Sequence, residues 1–277
     1  MPAETARLDF DALGTTCHLF ARDLPIARLE EIAGHVREMH QRLTRFDPAS
    51  ELSSFNAGAG EGWQEVSPDF EDLLRESLSA HRLSGGLVNP AVLGSMLAIG
   101  YTRTLREGVT GAALDKARPL RPLPELLEVQ SGRARLAAGA GLDFGGIAKG
   151  WLADRIAAGW LGEDGLVNLG GDLFACGPGP EGDGWPVGMG PVTVLLRDQG
   201  AATSATTHRR WQVAPGRELH HLIDPRTGLP ALSDLATVSV IATRAVDAEV
   251  VAKTALLLGS ALAPPYLAAH SLGWWLD

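Results

Sequence analysis

LDFGGIAKGWLADRIAAGWLGEDGLVNLGGDLFAC, residues 142–176, decides the fold class. Its first part reads as a helix from about Ile147 to Leu161, with Lys149 in the first turn after Gly145-Gly146. Two short strands follow, near 165–169 and 172–176, parted by Gly170-Gly171. A strand pair joined by a glycine kink differs from a βαβ repeat, in which a crossover helix separates successive strands. Downstream, strands are predicted near 185–188, 192–196, 219–223 and 236–242, then a helix from about Val246 to Leu258. Upstream, short strands are predicted at 127–129 and 133–136, and residues 7–21 alternate as a strand interrupted by Gly14-Thr15-Thr16. Leu29, Ile32, Ala33, Val36, Met39 and Leu43 recur at helical spacing and predict a helix over 26–43. RFDPASELSSFNAGAG, residues 45–60, reads as a turn-rich segment in which Asp47-Pro48 stops that helix. A further helix is predicted over about Asp69–Leu83. VNPAVLGSMLAIGY, residues 88–101, reads as a short helix with Pro90 in its first turn. The expected class is α+β: mixed, largely antiparallel sheets with helices packed on them. The chain reads as one domain over 1–277, with a charged, proline-rich surface excursion or linker at 104–125.

With 277 residues and 45% hydrophobic content the chain can bury a full core. A net charge of −9 and a pI near 5.4 argue against a nucleic-acid surface, which would be basic. Cys17 and Cys176 lack CxxC spacing, so no disulfide framework or cysteine zinc site is indicated. Cys17 neighbours His18, but within an alternating strand pattern rather than a nucleophile–base setting. MPAETARLDF lacks the basic start and apolar run of a signal peptide, and no apolar run reaches membrane-span length. A cytoplasmic location is expected.

The chemistry is concentrated in LHHLIDPRTGLP, residues 219–230, where a double histidine leads into an acid, a cation and a glycine turn. If 219–223 is a strand, His220 and His221 point to opposite faces. A neutral imidazole there could take a proton from a hydroxyl nucleophile. Only Lys116, Lys149 and Lys253 break an otherwise all-arginine usage of basic residues. Lys149 at a glycine-rich helix start suits an anion, because free N–H groups and the helix dipole point the same way. GGIAKG lacks Walker spacing, so a close strand-to-helix turn with a solvated lysine remains the alternative. Asp143 either accepts from a ligand or caps the helix. Gly170-Gly171 admit close approach of a ligand or of a neighbouring strand. TSATTHRRW, residues 203–211, adds hydroxyls and arginines that could line the same site.

RFDPASELSSFN, LDFGGIAKGWLADR, VNLGGDLFACG, ATSATTHRRW, HHLIDPRTGLP and AEVVAKTALLLG occur in the order seen in the ApbE-like FAD:protein FMN transferases, and the chain resembles that family over nearly its whole length. The resemblance implies a T-fold-like α+β architecture. It implies an enzyme that cleaves FAD and attaches FMN to a threonine of an acceptor protein through a phosphoester, releasing AMP. The acceptor would carry an Asp-x-x-Ser/Thr-Gly-Ala-Thr type motif, which this chain lacks. His221 would be the base, Lys149 would hold the pyrophosphate, and Asp143 would contact the flavin or adenine end. Leu13, Phe46, Asn89, Thr203, Ser204 and Leu222 would line the FAD site, with TSA standing where the family has TSG. Magnesium would sit on the backbone oxygen of Gly146 and on an Asp and a Thr one helical turn apart; here those two are Glu249 and Lys253. Glu249 can serve a hard cation as a carboxylate. A protonated Lys253 cannot be a ligand. The pair is either an i,i+4 surface pair or a place where an ammonium replaces part of the metal's charge. Asp247 projects from another face of the helix. Hydrolysis of FAD to FMN and AMP, and flavin binding without catalysis, are the two alternatives.

Overall fold

The computed structural model describes residues 5–207, 209–214 and 217–277. The chain divides into two compact units. One comprises Met1–His40, Ile147–Ser204 and Thr237–Asp277; the other comprises Gln41–Gly146 and Ala205–Ala236. The class is α+β, and its sheets are largely antiparallel.

The first unit is built on a seven-stranded sheet. Its spatial order is Ala6–Ala12, Thr15–Ala21, Gly165–Leu169, Leu173–Cys176, Gln199–Ala205, Thr237–Ala242 and Gly273–Leu276. Leu13 and Gly14 join the first two strands, both at positive φ (55° and 70°), the geometry that matches a tight hairpin to strand twist. Helices Ala148–Gly159 and Ala245–Leu258 pack on the sheet and on each other. On a second set of sheet side chains (Leu166, Leu173, Ala175, Ala201 and Ile241) lies the hairpin Trp185–Met189/Val192–Leu196, through Trp185, Val187, Met189 and Leu196. Cover on both faces explains why GLVNL reads as a near-continuous apolar run instead of alternating. Helix Ile26–Leu43 buries all six residues whose spacing predicted it.

The second unit holds a three-stranded sheet ordered Gln64–Glu65, Arg133–Leu136, Leu127–Gln130, two short hairpins, and helix Pro68–Leu83. Ser67 caps that helix by accepting from the Phe70 N–H, with Pro68 at its first position. The turn-rich reading of 45–60 requires correction. Glu51–Ala57 is a helix, capped by Ser50 accepting from Ser53 N–H, that buries only Leu52 and Phe55. Two apolar positions are too few to display a period. The short helix in 88–101 begins at Leu93, not Pro90. Asn89 holds the preceding turn instead, accepting from Ala91 N–H at 3.0 Å and donating to Arg121 O at 2.9 Å. Residues 104–125 contain two 3₁₀ turns, Leu105–Glu107 and Leu114–Lys116, and Leu105, Val109 and Leu114 pack against a cluster around Met96, Ile99 and Trp211.

Candidate active site

In the first unit three buried or nearly buried charges meet. The Lys149 ammonium is in ion contact with Asp172 and lies 3.4 Å from Glu249 Oε1. The other oxygen of Glu249 accepts from the Gly150 N–H at 2.8 Å. Gly150 is the third residue of its helix, so this amide has no intrahelical partner. The anion that the helix start favours is thus a carboxylate supplied by a neighbouring helix. The arrangement is reciprocal. Asp154, on the Lys149 helix, accepts from Ala245 N–H at 2.6 Å and Val246 N–H at 3.0 Å, the first amides of the helix that carries Glu249. Each helix therefore supplies the acid that caps the other.

Gly150 is required by this contact. A Cβ there would lie 2.7 Å from both Ala245 O and Val246 Cα. Burial pushes the Asp154 carboxyl up to about 6, against the opposing pull of its two N–H donors. Gly170 sits at φ +74°, and a Cβ on it would meet Thr15, so the glycine kink before Asp172 abuts the hairpin that carries Leu13. Thr203 Oγ1 is 2.9 Å from Ser239 Oγ, Ser204 is buried, and Leu13 is half-buried. Gly146 occupies the turn directly before Ile147, the residue preceding the Lys149 helix. Asp247 lies 3.6 Å from the Arg244 guanidinium on its own helix.

The second unit assembles a different set. Arg45 is buried and donates through Nε to Asp143 Oδ2 at 2.6 Å and through a terminal nitrogen to Tyr101 O at 2.6 Å. The same guanidinium lies over the Phe46 ring at 4.2 Å and the Tyr101 ring at 4.6 Å. Tyr101 continues to Trp211 at 5.4 Å, making a row of three rings whose first member, Phe46, is exposed. Asp143 does not cap the helix; its Oδ1 accepts from Gly145 N–H at 2.7 Å, closing a local turn.

Strand Arg217–His220 stops before His221, short of the predicted 223. The cause is His220. Its Nδ1 accepts the Leu222 N–H at 3.2 Å and its Nε2 bonds Ala231 O at 3.0 Å, which fixes the neutral tautomer with the proton on Nε2. Burial lowers the pKa of His220, in keeping with that state. Leu222 O accepts from Ala231 N–H at 2.9 Å, so the same two strand ends are tied twice. His221 is half-buried in the bend between these anchors. Beyond it, Asp224 accepts from the backbone N–H, Nε and a terminal nitrogen of Arg226, and Gly228 turns the chain at φ +73°. His208, within TSATTHRRW, lies outside the described residues.

Sequence reasoning placed Lys149, Glu249, Asp143, Phe46 and His221 at points of interest. It did not find Asp172, Asp154, Arg45, Tyr101 or Trp211, nor the part played by His220. The only local signal for Asp172 was an acid directly after a glycine pair.

The ApbE family matches residues 13–273 of this sequence. The chain belongs to the ApbE family. An FAD:protein FMN transferase of Treponema pallidum is 31% identical over 269 residues, spanning 84% of this chain and 72% of that one. One from Klebsiella pneumoniae is 29% identical over 250 residues, spanning 83% and 76%. Among solved structures, the flavinyl transferase ApbE of Pseudomonas stutzeri superposes with a TM-score of 0.84 at 20% identity, covering 99% of this chain and 90% of that one. The ApbE protein of Thermotoga maritima gives 0.81 at 23% identity, covering 92% and 87%. At those identities the structural likeness establishes the ApbE fold, and the sequence relatives establish the family.

Proposed function

We propose that this chain transfers FMN from FAD to a threonine hydroxyl of an acceptor protein. The acceptor oxygen forms a new bond to the flavin-side phosphorus, the bond from that phosphorus to the bridging oxygen breaks, and AMP leaves. His221 takes the hydroxyl proton as the nucleophile attacks. The observation that carries this reading is the family match over residues 13–273 together with relatives named for the activity. The site chemistry supports it. A half-buried histidine held between two anchored residues is a suitable general base, since fixed geometry is much of what such a group contributes. Phe46, at the exposed end of the Phe46–Tyr101–Trp211 row, offers a face for a flavin or adenine ring. Lys149 contacts the pyrophosphate, and Asp143, held by Arg45, orients one of the ring systems.

The test incubates the protein with FAD and a peptide bearing an Asp-Ser-Gly-Ala-Thr type motif, reading peptide mass and AMP. An FMN-sized gain on threonine, lost in His221→Ala, is expected. AMP released at an equal rate without any modified acceptor would make water the acceptor and refute the transfer.

A further inference from the structure

We propose that Lys253 is this chain's built-in cation, and that with it in place no divalent metal is held beside Glu249. A magnesium ion needs several oxygen donors in near-octahedral array and binds through carboxylates whose charge is available to it. The groups around Glu249 do not fit that requirement. One Glu249 oxygen accepts the Gly150 N–H and the other lies 3.4 Å from the Lys149 ammonium. Lys253 stands one helical turn beyond Glu249, on the same face of Ala245–Leu258, where a second oxygen donor would be wanted.

The charge count points the same way. Lys149 with its two acids, Asp172 and Glu249, sums to one negative charge, and Lys253, one helical turn beyond Glu249, brings one positive charge to the same helix face. The set is neutral as it stands. A divalent ion on Glu249 would add two positive charges beside the Lys149 ammonium, and next to carboxylates as buried as Asp172 and Glu249 this repulsion is weakly screened. An acid pair without the second lysine would carry a net negative charge and would attract such an ion. The substitution of a lysine for an oxygen ligand thus changes the sign of what the site recruits.

Manganese binding tests this on the purified full chain, by the loss of the free-ion EPR signal on titration with Mn²⁺. Lys253→Thr, which supplies an oxygen and removes the charge, is expected to bind Mn²⁺ at least about tenfold more tightly than wild type. Lys253→Gln removes the charge with nearly the same length and serves as the second variant should the first not fold. If wild type binds Mn²⁺ no more weakly than both folded variants, the proposal is overturned. A second arm rests on the flavin-transfer reading: AMP release should change by less than about twofold when EDTA replaces Mg²⁺. A large fall with EDTA, restored by Mg²⁺, overturns the proposal. If no AMP forms under either condition, it is the transfer reading that fails, and the Mn²⁺ comparison alone decides the metal question.

Discussion

Replacing Gly150 by alanine sets helix propensity against packing, and the structure says packing wins. Alanine in a helix interior is favoured over glycine by about 1 kcal/mol. At Gly150, however, the new Cβ would lie 2.7 Å from Ala245 O, 2.7 Å from Val246 Cα and 2.9 Å from Ala245 C. All three are backbone atoms, so no rotamer change relieves the contact. The two helices must move apart. Overpacking of this kind costs about 1–3 kcal/mol. Separation also stretches the Gly150 N–H bond to the Glu249 carboxylate, 2.8 Å in the native chain, and a hydrogen bond to a charged group is worth about 1.5–3 kcal/mol. Setting these against the propensity gain leaves a net loss of about 1.5–5 kcal/mol. Gly159, the last residue of the same helix, is the internal control. A Cβ there meets nothing within 4 Å. Gly159→Ala should be neutral or gain up to about 1 kcal/mol. Scanning calorimetry of the two variants reads the difference, with Gly150→Ala expected to melt roughly 5–15 °C lower. If Gly150→Ala melts at or above wild type, or if both variants fall together, the close approach of these helices does not set the identity of residue 150.

Three more outcomes are expected. The folded-state pKa of Asp154, about 6, lies above its ordinary value of 3.8, so the folded chain holds this proton more tightly than the unfolded one. Its contribution to stability is fully present below about pH 4 and is lost as pH rises through 6, an effect of about 2–3 kcal/mol; urea midpoints measured from pH 4 to 7 should show a fall that Asp154→Asn flattens. His220→Leu strips the partners from Leu222 N–H and Ala231 O, and should lower kcat for transfer by about tenfold or more with little change in KM, His220→Gln restoring part of the loss. An unchanged kcat would show that His221 holds its place without this brace. Arg45→Met leaves Asp143 without its cation and should cost about 3–5 kcal/mol in thermal unfolding, while Arg45→Lys, which keeps charge but neither fork nor stack, should fall between. Equal loss in Lys and Met variants would assign the whole effect to guanidinium geometry.

The parts of this fold legible in sequence are those whose signal is local. Helix Ile26–Leu43 announces itself because one buried stripe repeats at helical spacing over five turns. Strand Gln199–Ala205 does not, because QGAATSA offers small residues with no alternation, and it is a strand only by lying between two others. Helix Glu51–Ala57 and helix Ala263–His270 were missed for a related reason: one buries two residues and the other opens on a proline pair. His220 illustrates the limit at the site itself. Its spacing from His221 predicts opposite faces, but which face is locked by hydrogen bonds depends on Ala231, eleven residues on.

The sequence by itself determined the α+β class and the ApbE family, because ordered motifs and periodic burial are properties of neighbouring residues. Only the tertiary structure decided what those residues do to one another. Lys149 and Glu249 are a hundred positions apart, and whether that acid faces a metal, a lysine or a helix start depends on how two helices cross. Charges separated so far along the chain have no local signature; their pairing follows from the packing that brings them out of water together.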